Sequence, residues 1–389
     1  MAKLFLKKNE ERRIKSGHLW IFSNEAGEIE GDVSSGDIIE VYDFRGNRLG
    51  SGFYNKNSLI AVRLLGSEFD VDFPAYAASA LKKAYSLRKQ FYPNRDSFRF
   101  VFSESDFMPG LIIDKYNNTF VLQIYSYGMQ KNIQPVIDIL KSEYKAENIF
   151  TRNEHYFRKL EGLPEENEVY YGSLKDEIID DGEIKYKINF TNSQKTGFYF
   201  DQGDNRKFIE KIVSEKSVLD AFCNSGGFGL HAAHAGTSTV TFVDSSATEI
   251  ENAKQNFELN GLNSKAEYVE EDVFDYLEKS VNENRFFDIV ILDPPAFAKN
   301  KKSVPSALKG YTKLNKLALQ IIHKNGYLVT SSCSHHIGLS DFIDAVNTAS
   351  VKSGRRVQLI HLSGASLDHP RLPAMPETAY LKFAVFKVG

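Results

Sequence analysis

The first 72 residues alternate short apolar runs with turn residues. Runs rich in β-branched and aromatic residues span 37–42 and 49–54, and they flank the turn Arg45-Gly46-Asn47. Short runs bounded by turn residues predict β-strands. We therefore predict an N-terminal β-barrel domain over residues 1–72.

The next stretch, residues 73–190, mixes two kinds of pattern. Apolar residues recur at helical spacing between residues 74 and 92, which predicts a helix. Apolar runs at 98–103 and 120–125 predict strands. We therefore predict a central α+β domain over residues 73–190.

Beyond residue 217, strand-like runs alternate with helical stretches. This alternation predicts a parallel sheet with helices on both of its faces. The last two runs are separated by a loop without a helical stretch, so we expect them to pair antiparallel. We predict a C-terminal Rossmann-like α/β domain over residues 191–389, with a mostly parallel sheet of seven strands. The strand-like runs are 218–222, 239–243, 266–269, 287–292, 326–331, 357–362 and 380–388.

Composition indicates a multidomain globular protein and excludes several other classes. The chain has 389 residues, of which 42% are hydrophobic and 25% are charged, so it can build more than one core. Two cysteines, Cys223 and Cys333, are too few for a disulfide scaffold or a four-cysteine zinc site. There is no apolar run of about 18 residues, the length that a membrane span needs. We therefore expect a cytoplasmic protein that does not cross a membrane.

The charge of the chain is unevenly distributed. A formal net charge of -3 argues against a tail-driven nucleic-acid binder, yet residues 294–340 contain no Asp or Glu. This basic segment is either a solvated helix face or a surface for phosphates. Its lysines are Lys299, Lys301, Lys302, Lys309, Lys313, Lys316 and Lys324.

The turn after the first strand of the α/β domain combines an acid with glycines, at the sheet edge where ligands bind in such folds. It reads Asp220-Ala221-Phe222-Cys223-Asn224-Ser225-Gly226-Gly227-Phe228-Gly229. The turn lacks the early glycines of the dinucleotide fingerprint, and Asp220 would repel a pyrophosphate. An acid at this place suits a cationic cofactor such as S-adenosylmethionine. The candidate contacts in this turn are Asp220, Phe222, Asn224, Gly226 and Gly227.

Acids also follow the second and third strands. Asp244, next to Ser245, lies 24 positions after Asp220, where a carboxylate can accept hydrogen bonds from ribose hydroxyls. Asp272 can accept from an adenine amino group while Val273 packs on the ring. The alternative is that each acid only caps the following helix. Three acids in strand order favour the nucleoside interpretation.

The fourth strand leads into Asp293-Pro294-Pro295-Ala296-Phe297. Two prolines fix the backbone and leave the main-chain carbonyls and the Asp293 side chain available to a ligand. In methyltransferases this element holds a planar base by its polar edge while the aromatic residue stacks on its face. We predict that Asp293 contacts both cofactor and substrate. The other candidate substrate contacts are Pro294, Pro295, Phe297 and Lys299.

The fifth strand ends in Thr330-Ser331-Ser332-Cys333-Ser334-His335-His336. A lone cysteine on a strand is usually a small buried hydrophobe. Cys333 instead lies at the carboxyl end of its strand and faces the basic segment, which would lower the pKa of its thiol. We predict that Cys333 is a nucleophile and that Cys223 is structural. The histidines have no Cys or carboxylate at ligand spacing, so we expect no metal site.

These motifs together resemble a known family. The turn at 220–229, the Asp293-Pro294-Pro295-x-Phe297 element and Ser332-Cys333-Ser334 are similar to those of bacterial PUA-domain-containing class I methyltransferases that form 5-methylcytosine in 23S ribosomal RNA. The most specific match is Gln194-Lys195-Thr196-Gly197-Phe198-Tyr199-Phe200-Asp201-Gln202-Gly203-Asp204-Asn205-Arg206. The resemblance runs end to end, and further matching stretches are 15–23, 104–114, 368–370 and 377–382.

The resemblance implies a PUA-like RNA-binding domain, a central domain and a class I methyltransferase domain. It implies S-adenosylmethionine as cofactor and 23S ribosomal RNA, or a large-subunit precursor, as substrate. It adds Phe200, Asp201 and Arg206 to the candidate cofactor contacts. Cys333 would add to C6 of a cytosine, because C5 alone is too weakly nucleophilic to take a methyl group, and Asp293 would hold N3 and the amino group.

Two other functions stay open. The same fold can transfer a methyl group to a nitrogen of guanine or adenine, which needs no cysteine. The chain can also be a non-catalytic RNA-binding or assembly factor. A homodimer is a further possibility on which the sequence is silent.

Overall fold

The computed structural model describes residues 1–191, 196–298 and 300–389, and these residues form two compact units. Each unit is assembled from stretches that are separate along the chain. The predicted boundaries at residues 72 and 190 stay predictions. Unit 1 comprises Met1–Ile179, Ile188–Phe200 and Leu367–Thr378, and unit 2 comprises Asp180–Lys187, Asp201–Ser366 and Ala379–Gly389.

Unit 1 begins with a six-stranded sheet. Its elements are β1 (Lys3–Leu6), α1 (Arg12–Lys15), β2 (Trp20–Phe22), β3 (Ala26–Glu30), β4 (Ile38–Tyr42), β5 (Arg48–Tyr54) and β6 (Ile60–Gly66). The strand order is β2-β6-β5-β4-β1-β3, and all pairs are antiparallel except β1 with β4. The buried residues Leu4, Ile21, Val41, Val62 and Leu64 form its core. A small N-terminal β-domain is therefore confirmed.

A second sheet of five strands completes the regular structure of unit 1. The elements are α2 (Phe73–Phe91), β7 (Ser97–Phe102), β8 (Leu111–Tyr116), β9 (Thr119–Ile124), α3 (Tyr127–Lys131), α4 (Ile133–Ser142), β10 (Asn148–Thr151), α5 (His155–Glu161) and β11 (Val169–Tyr171). The strand order is β11-β10-β9-β8-β7. Helix α2 starts with Pro74 in its first turn, where a missing amide hydrogen costs nothing, and it buries Ala77, Leu81 and Ala84 against the sheet. Helices and strands thus mix as predicted.

A buried ion pair and its neighbours hold unit 1 together. The Arg88 guanidinium on α2 donates to both carboxylate oxygens of Asp106, at 2.5 and 2.7 Å, and to the main-chain carbonyl of Asp368 at 2.6 Å. The side chain of Asp368 accepts from the main-chain amide of Arg99 at 2.9 Å and contacts the buried ring of His369. These contacts give the 368–370 motif an anchoring role in unit 1.

Unit 2 contains a seven-stranded sheet. Two short strands near the unit boundaries, β12 (Glu177–Asp180) and β13 (Lys185–Ile188), precede it. The strands of the large sheet are β14 (Ser217–Ala221), β15 (Thr239–Asp244), β16 (Lys265–Glu270), β17 (Phe287–Leu292), β18 (Ile322–Ser332), β19 (Val357–Ser363) and β20 (Lys382–Val388). Their order is β16-β15-β14-β17-β18-β20-β19. The first five strands in this order are parallel to one another. Strand β20 pairs antiparallel with both β18 and β19, as predicted.

Helices cover both faces of this sheet. They are α6 (Gly203–Ile209), α7 (Gly227–His234), α8 (Ala247–Leu259), α9 (Val273–Asn282), α10 (Val304–Gln320) and α11 (Leu339–Ser353). Leu219 and Val290 join a core with α9, α10 and α11, whereas Val218 and Ile289 join a second core with α6 and α7. Alternate residues of β14 and β17 therefore face opposite sides, as expected for strands buried on both faces. None of the described helices is long and apolar enough to cross a bilayer.

Candidate functional site

The turn after β14 places one carboxylate in an unusual environment. Strand β14 ends at Ala221, one residue earlier than predicted, because Phe222 adopts a positive φ of 62° and turns the chain. Oδ2 of Asp220 accepts the main-chain amide of Gly229 at 2.7 Å. Oδ1 of Asp220 is buried and has no hydrogen-bond partner among the described residues. The sheet thus presents an unsatisfied acceptor beside the glycine turn.

Two acids of the site hold their protons unusually strongly. Burial raises the pKa of Asp220 to about 7, although the amide of Gly229 opposes the change, and the carboxylate of Asp293 adds to it. Burial raises the pKa of Asp293 to about 6, and the carboxylate of Asp201 adds to this shift. Perturbed carboxyl groups of this kind mark functional sites. A cationic ligand would relieve the mutual repulsion of these acids, so they fit the sulfonium and ammonium groups of the predicted cofactor.

Arg206 of α6 lies directly against the glycine turn. A β-carbon on Gly227 would come within 2.6 Å of Nε of Arg206, so a larger residue here would displace the buried guanidinium group. The guanidinium carbon of the buried Arg206 lies 5.9 Å from the ring centroid of Phe228. Gly226 adopts a φ of 89°, which glycine takes without steric cost. The structure brings these predicted cofactor contacts together.

Asp244 links two turns. Its Oδ2 accepts the main-chain amide of Asn224 at 3.0 Å, and its Oδ1 accepts the amide of Ser246 at 3.0 Å. Ser246 in turn caps α8, while the adjacent Ser245 is exposed. Asp244 therefore ties the end of β15 to the glycine turn.

Asp272 caps a helix, as the alternative interpretation states. Its Oδ1 accepts the main-chain amides of Phe274 at 2.8 Å and Asp275 at 3.3 Å, and its side chain is exposed. Val273 is buried in the core, where it packs against the sheet. The contact of these two residues with adenine stays a prediction.

Asp293 is held by a residue that sequence reasoning missed. Nε2 of the buried Gln202 donates to Oδ1 of Asp293 at 2.8 Å and to the hydroxyl of Ser331 at 3.3 Å. Oε1 of Gln202 accepts from Asn205 at 2.7 Å, which fixes the orientation of the amide. A signal exists in the sequence, because Gln202 stands within the most specific motif, directly after Asp201.

Asp201 is also fixed by hydrogen bonds within unit 2. Its Oδ2 accepts the hydroxyl of Tyr380 at 2.5 Å, and its main-chain carbonyl accepts the amide of Ser366 at 2.8 Å. Phe200 belongs to unit 1, where its ring packs on Phe198 and Tyr116. The cofactor contact of Phe200 stays a prediction.

Cys333 lies against the Asp293-Pro294-Pro295 turn. Its Sγ is 3.8 Å from the main-chain carbonyl oxygen of Pro294. The next residue, Ser334, accepts the main-chain amide of Ala298 through its hydroxyl at 3.2 Å. The end of β18 and the turn after β17 are therefore joined at two points. By contrast, Cys223 is buried, and its burial raises the pKa of the thiol well above its usual value.

The residues that follow Asp293 differ in how far they are buried. The ring of Phe297 is half-buried and contacts Tyr311 at 4.7 Å and Phe274 at 6.3 Å between ring centroids. Pro294 is buried, whereas Pro295 is exposed. Three predicted residues lie outside the described part of the chain, namely Gln194, Lys195 and Lys299.

The basic segment presents most of its lysines to solvent. Lys301, Lys302 and Lys309 are exposed, and Lys313 forms an ion pair with Glu278 at 2.7 Å. Surface pairs of this kind contribute little stability, so the lysine stays available to an anionic partner. Within the described ranges, no group of three or more His, Cys, Asp or Glu side chains is arranged to hold a metal ion.

Two known sequence families match separate parts of the chain. Residues 4–67 match the PUA-like domain, and residues 202–337 match a family described as conserved hypothetical protein 95. The chain is 37% identical over 390 residues to the ribosomal RNA large subunit methyltransferase I of Photobacterium profundum, with 97% of each chain covered. It is 35% identical over 398 residues to the protein of the same name from Vibrio parahaemolyticus, with 100% of this chain and 99% of that one covered.

Solved structures share the fold. A protein assigned as a methyltransferase and crystallised with SAH superposes with a TM-score of 0.86 at 21% identity, with both chains covered completely. At this identity, the likeness bears on the fold alone. The predicted multidomain architecture, with its PUA-like and methyltransferase parts, is therefore confirmed.

Proposed function

This chain belongs to the family of ribosomal RNA large subunit methyltransferases I, and we propose that it methylates carbon 5 of a cytosine through a covalent adduct with Cys333. Membership in the family makes S-adenosylmethionine the methyl donor and large-subunit ribosomal RNA the acceptor. The atom and base that receive the methyl group are the proposal.

One observation carries the proposal. Sγ of Cys333 lies 3.8 Å from the carbonyl oxygen of Pro294, inside the turn that we propose binds the base. A thiol at this place can attack C6 of a cytosine whose polar edge is held by Asp293. A nitrogen methyltransferase would have no use for a thiol there, since nitrogen lone pairs attack a methyl group directly.

Asp293 is suited to the polar edge of cytosine. Burial, reinforced by Asp201, raises the pKa of Asp293 to about 6, so a protonated carboxyl group is accessible near neutral pH. In that form it donates to N3 of the base and accepts from the amino group, as electron density moves onto N3 during thiol addition. Gln202 orients the carboxyl group for this contact.

The proposed reaction conserves atoms. The Cys333 thiolate forms a bond to C6, C5 bonds to the methyl group, a base removes the C5 proton, and the bond between sulfur and C6 breaks. When bound, S-adenosylmethionine would supply the methyl group by cleavage of its sulfonium–methyl bond, and S-adenosylhomocysteine would be the leaving group. Asp220 would accept from its ammonium group and Asp244 from its ribose hydroxyls. Ala296 supplies no second thiol for product release, so another base takes the proton.

The target base must leave its stack in the RNA to reach the Asp293-Pro294-Pro295 turn, as for other base-modifying enzymes. We propose that the PUA-like domain and the exposed lysines of the basic segment bind the RNA backbone, where Lys/Arg contacts release counterions. The lysine contacts predict weaker RNA binding at higher salt.

The test is transfer of labelled methyl groups from S-adenosylmethionine to unmodified 23S ribosomal RNA, followed by nucleoside analysis. Wild type should form 5-methylcytosine, and Cys333→Ala should form none while binding S-adenosylmethionine as tightly as wild type in calorimetry. A methylated guanine or adenine, formed equally by both proteins, would replace the proposal with nitrogen methylation. RNA binding without any transfer would identify a non-catalytic factor.

A further inference from the structure

A buried lysine reaches the segment that carries Cys333 from the neighbouring antiparallel strand. Lys382 begins β20 and lies opposite Ser332 in the ladder with β18. Its side chain is buried, and Nζ donates to the main-chain carbonyls of Ser334 at 2.7 Å and Ile337 at 2.9 Å. One ammonium group therefore spans the loop that follows the cysteine.

Cys333 directly follows Ser332, the residue that lies opposite Lys382 in the ladder, so its thiol is close enough to interact with the charge of this ammonium group. Burial lowers the pKa of Lys382 to about 8, and the negative charge of Cys333 opposes that shift. Electrostatic attraction is mutual, so the Lys382 ammonium group also favours the thiolate form of Cys333. Both hydrogen bonds of Nζ go to neutral carbonyls, which leaves its charge available to the thiolate.

Two other ionisable groups near Cys333, within the described part of the chain, are the acids Tyr311 and Asp293. The hydroxyl of Tyr311 on α10 lies 3.2 Å from that of Ser334, and burial, with a contribution from Cys333, raises the pKa of Tyr311. Asp293 follows β17 and carries a negative charge when ionised. The effect of the basic segment on the Cys333 thiol, which the sequence pattern suggested, stays a prediction beside that of Lys382.

We propose that Lys382 is the positioning residue for the nucleophile: it fixes the loop after Cys333 and holds the thiol in its reactive, ionised form. This inference rests on the proposed function, in which Cys333 attacks the base. Lys382 touches neither the base nor the cofactor in this assignment, and it acts through the cysteine.

The experiment measures alkylation of Cys333 by iodoacetamide against pH, read by mass spectrometry of the Cys333 peptide in the full-length protein. Only the thiolate reacts, so the profile reports the pKa of the thiol. Wild type should give an apparent pKa below the usual value of about 8.5. Lys382→Met should alkylate about tenfold more slowly at pH 7, which corresponds to a rise of about one pKa unit. Lys382→Arg should retain the fast reaction.

The matched control is Lys387→Met, on the same strand, since Lys387 bonds to the carbonyl of Asn325 at the other end of the ladder. It should react like wild type. A wild-type thiol pKa of about 8.5 or above would overturn the inference even if Lys382→Met failed to fold. An unchanged profile in folded Lys382→Met would do the same.

The two proposals fail separately. If Lys382→Met shifts the alkylation profile but Cys333→Ala still methylates RNA, the charge pairing stands and the adduct mechanism falls. If Cys333→Ala abolishes methyl transfer but the alkylation profile is insensitive to Lys382, the mechanism stands and the role of the lysine falls.

Discussion

The side-chain amide of Gln202 donates to the carboxylate of Asp293 across 2.8 Å, at the point where β17 ends and α6 begins. The same amide contacts Ser331 at the end of β18, so a single buried group fixes the turn after β17 against the strand that leads to Cys333. The amide is held in turn by Asn205. A carboxyl group that must be oriented for a reaction needs a hydrogen-bond partner that is itself held in place, as Gln202 is by Asn205.

Replacing Gln202 with Leu should lower kcat for methyl transfer at least about tenfold, because Asp293 loses the donor that orients it. The affinity for S-adenosylmethionine should change little. Single-turnover methylation and calorimetry measure the two effects separately. Gln255→Leu is the control, since Gln255 bonds only to Glu251 on the exposed face of α8 among the contacts described. Equal turnover by both variants would deny Gln202 its role.

The variant Asp220→Asn should bind S-adenosylmethionine more weakly than wild type and should unfold less readily. The carboxyl pKa is raised to about 7 by burial, above its usual 3.8, so the stability that this group contributes is full below about pH 4 and is lost as pH rises through 7. The variant removes that loss and should gain about 2 kcal/mol at pH 8 without cofactor. Urea unfolding and calorimetry test this, with exposed Asp344→Asn as control. A free energy of unfolding lower for Asp220→Asn than for wild type at pH 8 would contradict the prediction.

The environment of His231 predicts that the stability of unit 2 falls as pH rises, because this side chain is a base that is charged at low pH. Its ring nitrogens contact Asp181 at 2.9 Å and Glu210 at 2.7 Å. Burial alone would lower the pKa of His231, but these two carboxylates raise it above 6.5. The stabilisation is therefore full below about pH 6.5 and fades as pH rises through the folded value.

The variant His231→Gln should lower the free energy of unfolding by about 3 kcal/mol at pH 6, since Asp181 and Glu210 each lose a cationic contact and Glu210 keeps only Lys207 at 2.7 Å among the ion pairs described. The difference from wild type should shrink toward pH 9. Hydrogen exchange of peptides from α7 measures it locally, and the more exposed His234→Gln serves as control. A difference that does not vary with pH would mean that His231 is neutral in the folded protein.

Arg88→Met should destabilise unit 1 by about 4 kcal/mol, because it leaves the carboxylate of Asp106 buried without its partner. Trp20 is the single tryptophan of the chain, and its indole donates to Glu104 within unit 1, so its fluorescence follows this unit. Lys83→Met on the exposed face of α2 should be neutral. A loss below about 1 kcal/mol would show that the pair is worth no more than an exposed one.

The sheet of unit 2 was predictable because its strands are apolar and separated by helical stretches or turn residues. The alternation also located Asp220, Asp244 and Asp293 correctly at strand ends. Strand β18 begins at Ile322, four residues before its predicted start, because Ile322 pairs with Phe287. The polar residues His323, Lys324 and Asn325 lie in an irregularity of the ladder, before Tyr327 pairs with Ile289. Local pattern carries little information about such polar strand residues.

The partners of the site residues were harder to find. Gln202 and Lys382 come from segments whose own patterns show nothing of Asp293 or Cys333. The antiparallel pairing of β20 was predicted, but only its register, with Lys382 opposite Ser332, brings the lysine to the cysteine. Register depends on packing across the whole sheet, which a local pattern does not determine.

The segment Leu367–Thr378 has a consequence for how the protein is made. It belongs to unit 1, and it supplies the carbonyl of Asp368 that Arg88 requires. A ribosome must therefore deliver residues 367–378 before unit 1 can close, and it must deliver β20 before the sheet of unit 2 is complete. Chains tend to fold domain by domain as they emerge. Here residues 367–388 complete both units, so a nascent chain stalled before residue 367 would hold two unfinished cores.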